Sequence, residues 1–366
     1  MGSGAEHLDL LRERLRSETM ALEGFRSDGG RALGSLCFAF PPAIGAGLGM
    51  RPVRVLAGAT QEMESLGERF VRPDVCPLAK SALGAVSSRA GLHGMIDAWV
   101  GMYTCDQTRR LFQELSRLTG AVVHHLQLPA TRTPEAREFF VSQIERLVSD
   151  LSATVAGRPY DRDSAAGWET GRQVSAALLT SLASSCSVPP VALHLMYRLL
   201  DFARPEGLSA AFSEAASLVT DWRPRFPVAV TGSPLLLEED YIPRFLERRG
   251  IAMIPLGCSG GQNAIPDGRH CSGDPACLAG VWFDSLRCTR CRPNEATFEH
   301  LESEIARTGC RGLIVKSLKF CDLWFTEKER IRARMPVPVL VLDTSFTVGE
   351  TERLRTRVEA FMESIS

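Results

Sequence analysis

Residues 312–322 read Gly-Leu-Ile-Val-Lys-Ser-Leu-Lys-Phe-Cys-Asp. Gly312–Leu318 is a short apolar run, the signature of a strand buried on both faces of a parallel sheet. It ends in Lys319-Phe320-Cys321-Asp322. The same device occurs earlier, where Met95–Tyr103 reads as a strand, Thr104-Cys105-Asp106 closes it, and helical spacing follows through Leu118. Outward from that pair, Val53–Ala57 and Val122–Leu128 read as strands and Thr60–Phe70 as a helix. Strands alternating with helices predict a parallel α/β unit over 51–133.

The flanking segments complete the plan. Residues 1–50 read as an amino-terminal helical segment followed by loop. Residues 134–224 form a helical segment opened by Pro134. Residues 225–366 form a second α/β domain, with strands at Val228–Val230, Ile251–Leu256, Gly312–Leu318 and Pro338–Leu342. Its helices are Asp240–Arg249, Glu295–Arg307 and Glu350–Ser364, and a Gly-, Pro- and Cys-rich irregular loop spans 257–293.

Composition narrows the function. The 366 residues carry a formal net charge of -1 and are 45% hydrophobic. Such a balance predicts neither nucleic acid nor a membrane surface as partner. The amino terminus lacks an apolar signal core, and the greasiest stretch, Leu36–Met50, is broken by Pro41 and Pro42. A soluble, cytoplasmic protein is expected. With 11 cysteines and no secretion signal, metal binding or catalysis is expected ahead of a disulfide framework. Only Lys80, Lys316, Lys319 and Lys328 are lysines among 42 basic residues. Three of them lie close in sequence to Cys76 or Cys321, by chance or because an anionic centre needs a cation nearby.

The cysteines sit where ligands bind. In open α/β sheets the binding crevice lies beyond the carboxyl ends of the strands, which is where Cys105 and Cys321 fall. The helix after each would aim its free N–H groups and dipole at a thiolate or sulfide, with Asp106 and Asp322 as N-caps. Taken singly, each cysteine is also explained as a small buried hydrophobe. Their matching positions in two units argue for a shared role. Cys76 precedes Pro77, which stiffens its loop. Cys288 and Cys291 form a C-x-x-C pair able to grip one metal or cluster. A structural zinc held by Cys271, Cys277, Cys288 and Cys291 stays open. Cys37, Cys186 and Cys310 fall in helical or core contexts.

Taken in order, Cys76-Pro-Leu-Ala-Lys80, Thr104-Cys105-Asp106, Thr231-Gly232-Ser233-Pro234, Lys316-Ser-Leu-Lys-Phe-Cys321-Asp322 and Pro338-Val-Leu-Val-Leu-Asp343 give a chain that resembles the 2-hydroxyacyl-CoA dehydratase and benzoyl-CoA reductase family, which includes double-cubane cluster proteins. The resemblance runs from about Cys37 to the end. It implies two Rossmann-like parallel-sheet domains with a cluster in the cleft between them. Cys76, Cys105 and Cys321 match the family cysteines that hold a [4Fe-4S] cluster. Cys258, Cys288 and Cys291 match further family cysteines, and six ligands would suit an [8Fe-9S] double cubane. The chain departs from the family pattern at Gln107, where glycine is usual, in Phe38-Ala-Phe-Pro-Pro-Ala43, and at Cys271 and Cys277.

The resemblance implies a radical elimination of water from a 2-hydroxyacyl-CoA, started by one electron from a separate ATP-hydrolysing iron–sulfur activator. It also implies work as a homodimer or with a sister subunit. Lys80, Lys316 and Lys319 would stabilise the reduced cluster or a CoA phosphate, and Thr231, Gly232 and Ser233, ahead of a helix, would bind an anionic group. No side chain is assigned as catalytic. The alternatives are a double-cubane reductase of small molecules and a non-catalytic metal-stabilised subunit.

Overall fold

The computed structural model describes residues 6–261, 271–346 and 350–366. Strands β1 (Ala32–Ser35), β2 (Arg51–Arg54), β3 (Ala98–Tyr103) and β4 (Val122–Gln127) form a four-stranded sheet in the order β2-β1-β3-β4. Strands β5 (Phe226–Gly232), β6 (Ile251–Pro255), β7 (Leu313–Leu318) and β8 (Val339–Thr344) form a second, in the order β6-β5-β7-β8. Every pairing is parallel. The protein is thus α/β with two Rossmann-like units, as the alternating pattern predicts. Both sheets share one strand order, and each reverses its winding between its first and third strands, which opens a crevice there.

Burial follows the sequence. β6 and β7 are buried along their whole length, which is why they read as continuous apolar runs. β4 is an edge strand and largely exposed. Helices Pro134–Leu151, Arg162–Ser184, Pro190–Phe202 and Leu208–Ser217 make up the connecting segment. The helix Pro190–Phe202 is buried along nearly its whole length and shares a core with β5, β6 and the terminal helix Glu350–Ile365. No described helix is long and apolar enough to cross a membrane.

Polar contacts join the two halves. Leu237 N–H donates to Leu56 O at 2.8 Å. Phe346 N–H donates to the Glu64 carboxylate at 2.9 Å. Asp201, on the central helix, pairs with Arg198 at 3.3 Å and with Arg54 at the end of β2 at 3.0 Å.

Several local expectations are corrected. The stretch read as loop before residue 50 contains β1, which sits between β2 and β3. Ala-Leu-Gly-Ser has no β-branched residue to announce a strand. The loop 257–293 holds the helices Gly257–Gly260 and Pro275–Ser285, while its residues 262–270 lie outside the described ones. Asp106 and Asp322 are the first helical residues, and the N-caps are Cys105 and Cys321 themselves. Thr231–Ser233 does not lead into a helix, because the next begins only at Tyr241. Cys271 and Cys277 form a disulfide. That overturns the expectation against disulfides at this pair, and it removes two of the four thiols from the zinc arrangement.

Candidate metal centre

A cavity of about 130 Å³ lies where the carboxyl ends of the two sheets face each other, and Cys37, Cys76, Cys105, Cys258, Cys288 and Cys321 line it. About 10–15 Å³ holds a water, so the space suits a much larger group. Cys291 stands one turn from Cys288, its N–H donating to Cys288 O at 3.0 Å. The structure therefore brings five of the six cysteines that the sequence singled out to one cavity, with Cys291 beside Cys288, and adds Cys37. Cys186 and Cys310 do not line it.

Chain topology explains the convergence. Cys37 follows β1 and Cys105 follows β3, on the two sides of the first sheet's crevice. Cys76 comes from the β2–β3 connection. In the second sheet Ser233 follows β5, Cys258 follows β6 and Cys321 follows β7. Cys76, Cys105 and Cys321 are each the N-cap of a helix: Pro77–Ser87, Asp106–Thr119 and Asp322–Phe325. The free N–H groups of a helix start therefore face those sulfurs.

The sulfurs accept hydrogen bonds in a repeated way. Ala39 N–H donates to Cys37 Sγ at 3.4 Å and Arg290 N–H to Cys288 Sγ at 3.4 Å. The N–H groups of Leu78 and Ala79 favour the thiolate of Cys76, and those of Leu323 and Trp324 the thiolate of Cys321. The Ser233 hydroxyl also favours the Cys321 thiolate, and its oxygen accepts Leu318 N–H at 3.2 Å. The Arg132 guanidinium favours the Cys291 thiolate by its charge. Donors aimed at sulfur favour the thiolate over the thiol.

Burial opposes them. It pushes the Cys76 and Cys258 thiols up to about 12, and raises those of Cys37, Cys288, Cys291 and Cys321 as well. Neighbouring sulfurs add to the rise: Cys321 acts on Cys76, Cys37 on Cys258, and Cys258 on Cys288. Six thiolates cannot share this cavity alone, yet the backbone is arranged to receive them. A cationic metal core reconciles the two demands, because metal binding deprotonates the ligand thiol. Among the described residues no three Cys, His, Asp or Glu side chains lie close enough to grip a single ion. The thiols line a shared cavity instead, and thiolates are the usual ligands of polynuclear iron–sulfur clusters. The donor set fits an iron–sulfur group of that kind.

The other residues singled out from sequence fall as follows. Lys80 is buried and pairs with Glu64 at 2.9 Å and Glu68 at 2.8 Å. Lys316 is fully buried, pairs with Glu239 and donates to Pro234 O at 2.8 Å. Its charge still reaches Cys76 through the low-dielectric interior. Lys319 is half-buried at the end of β7 and does not line the cavity. Gly232 has φ +115°, and a Cβ there would meet Lys316 O at 1.9 Å, so only glycine fits this turn. Of the Thr231–Ser233 turn, Ser233 alone lines the cavity.

Three features escaped the sequence reading. Cys37 follows a strand that carried no strand signal. Gln107 accepts Cys76 N–H on its side-chain oxygen at 3.3 Å and so ties two cysteine-bearing segments together. Arg54, stacked 4.1 Å over Phe38, favours the thiolates of Cys37 and Cys258 by its charge.

Comparison with known proteins agrees with this arrangement in extent. The family model for the 2-hydroxyglutaryl-CoA dehydratase D-component matches residues 37–365. YjiM of Escherichia coli (strain K12), which carries the provisional name of a dehydratase subunit, is 20% identical over 358 residues, covering 91% of each chain.

Proposed function

The chain belongs to the 2-hydroxyglutaryl-CoA dehydratase D-component family, and from that membership we propose that it is the iron–sulfur component of an enzyme that removes water from a 2-hydroxyacyl-CoA. One observation carries the reading: cysteines from both halves of the chain meet in a single buried cavity. Cys76, Cys105 and Cys321 would hold a [4Fe-4S] cluster and leave one iron free of protein ligands. When bound, such a group supplies one low-potential electron to the substrate thioester, a step that otherwise has no accessible route through an acidic proton. An ATP-hydrolysing iron–sulfur activator would renew that electron.

The chain's own residues prepare the site. N–H groups at helix starts point at the sulfurs and hold their charge without a mobile counterion. Lys316 and Arg54 set a fixed positive field behind them. Leu36, Phe38, Met102, Leu318 and Trp324 wall the cavity with apolar surface, which excludes water from a reduced centre. The proposed location is the cytoplasm, with a second copy or a sister subunit completing the enzyme.

A second reading has its own support. Seven thiols are more than one cubane binds. Cys37, Cys258 and Cys288 line the cavity as well, with Cys291 beside Cys288, and would hold a second cubane, which would make the chain an [8Fe-9S] reductase of small molecules. Anaerobic analysis separates the two: about four iron and four sulfide per chain accord with the first, about eight iron with the second. For either, Cys105→Ala and Cys321→Ala should each abolish the visible absorbance of the anaerobic protein, whereas Cys186→Ala should not change it. Unaltered spectra in both of the first two variants would refute the ligand assignment.

A further inference from the structure

Thr289 sits inside the C-x-x-C segment Cys288-Thr289-Arg290-Cys291. It lines the cavity, is 1% exposed, and its hydroxyl has no hydrogen-bond partner among the described residues. The backbone of the turn around it is engaged without it. Cys291 N–H bonds Cys288 O, Arg292 Nη1 bonds Thr289 O at 2.7 Å, and Arg290 N–H points at Cys288 Sγ. Two other hydroxyls of the cavity behave differently. Thr108 donates to Cys105 O at 2.9 Å, and Ser233 accepts Leu318 N–H at 3.2 Å. Trp282 and Asn294 also carry unpaired buried N–H groups, but neither lines the cavity.

A buried hydroxyl without a partner costs about 1–3 kcal/mol, and valine would fill the same volume without that cost. The hydroxyl therefore has an acceptor when the cavity is filled. The residue before it, Cys288, lines the same cavity. We propose that the Thr289 hydroxyl donates a hydrogen bond to a sulfur of the bound iron–sulfur centre and raises its reduction potential. The assignment rests on the iron–sulfur reading above and makes Thr289 a tuning residue. Its sign follows from charge: a donor stabilises the more negative, reduced form more than the oxidised form.

The test uses the full chain, purified or reconstituted anaerobically, in a potentiometric titration followed by electron paramagnetic resonance. Thr289→Val should keep the wild-type iron and sulfide content but show a more negative midpoint potential, and Thr289→Ser should titrate like wild type. After transfer to D₂O, pulsed resonance of the reduced wild-type centre should show an exchangeable deuteron coupling that Thr289→Val lacks. Where valine does not load, Thr289→Ala, which deletes the same hydroxyl with less crowding, gives the same reading. Equal midpoints in wild type and the hydroxyl-free variant, with the deuteron coupling retained, would overturn the proposal. A wild-type protein without iron and sulfide would instead sink the iron–sulfur reading, before any variant is compared.

Discussion

Lys316 is fully buried, and its ammonium faces Glu239, itself 4% exposed. Breaking a buried pair leaves an uncompensated charge and costs about 3–5 kcal/mol, whereas removing both partners can be close to neutral. Lys316→Met should therefore lower the denaturation midpoint strongly, and adding Glu239→Leu should restore most of the loss. An additive effect of the two changes would mean that they do not act as a pair. Two histidines set an acid limit in the same way. Burial holds His93 down to about 4 and His194 down to about 3, from an ordinary value of 6.5. The unfolded chain thus takes up these protons first as pH falls. Their stabilisation is whole above pH 6.5 and drains away as pH approaches about 4 and then about 3. The metal-free protein should melt at progressively lower temperature across that window, and His93→Gln should flatten the upper part of the profile. A variant with the wild-type slope would contradict the assignment.

At the scale of elements, the helices Gln61–Gly67 and Pro77–Ser87 meet through glycine. A Cβ on Gly84 would lie 2.0 Å from Met63 O, and one on Gly67 would lie 1.8 Å from Lys80 O. The second helix is the one capped by Cys76, so its packing sets where that sulfur points. Gly84→Ala should destabilise by about 1–3 kcal/mol or more and reduce the iron retained per chain. Gly24→Ala is the control: nothing lies within 4 Å of its Cβ, in the helix Glu6–Ser27, and it should stabilise by about 0.5–1 kcal/mol. Equal stability of the two variants by chemical denaturation would remove the close-packing argument. What the sequence reveals also varies by element. Ile251–Pro255 and Leu313–Leu318 are legible because strands buried on both faces must be apolar throughout. β1 is silent, and with it Cys37, because its four small or unbranched residues are held by β2 and β3 and carry no propensity of their own. The helix Pro275–Ser285 is hidden for another reason: it is apolar nearly all round, so no amphipathic period marks it among the glycines and prolines. Cys105 and Cys321 could be read because strand, cysteine, aspartate and helix follow one another directly. The disulfide of Cys271 with Cys277 could not, since spacing alone does not say which thiols pair.

In the whole molecule, two sheets of one strand order each send cavity-lining residues from the segments that follow their first three strands. Cys37, Cys76 and Cys105 come from the first half, and Ser233, Cys258 and Cys321 from the second. Neither half alone encloses the cavity, so a centre held there would also fasten the halves together, since a group that binds only the folded chain stabilises it by mass action. Chelating iron from the anaerobic protein should then lower its melting temperature, and an unchanged melting curve would place any iron elsewhere. The most direct measurement is an anomalous difference map at the iron edge from crystals grown without oxygen. A strong iron peak in the crevice, within bonding distance of the Cys76, Cys105 and Cys321 sulfurs, is the expected result. A crevice without iron, or iron only at other residues, would contradict the account.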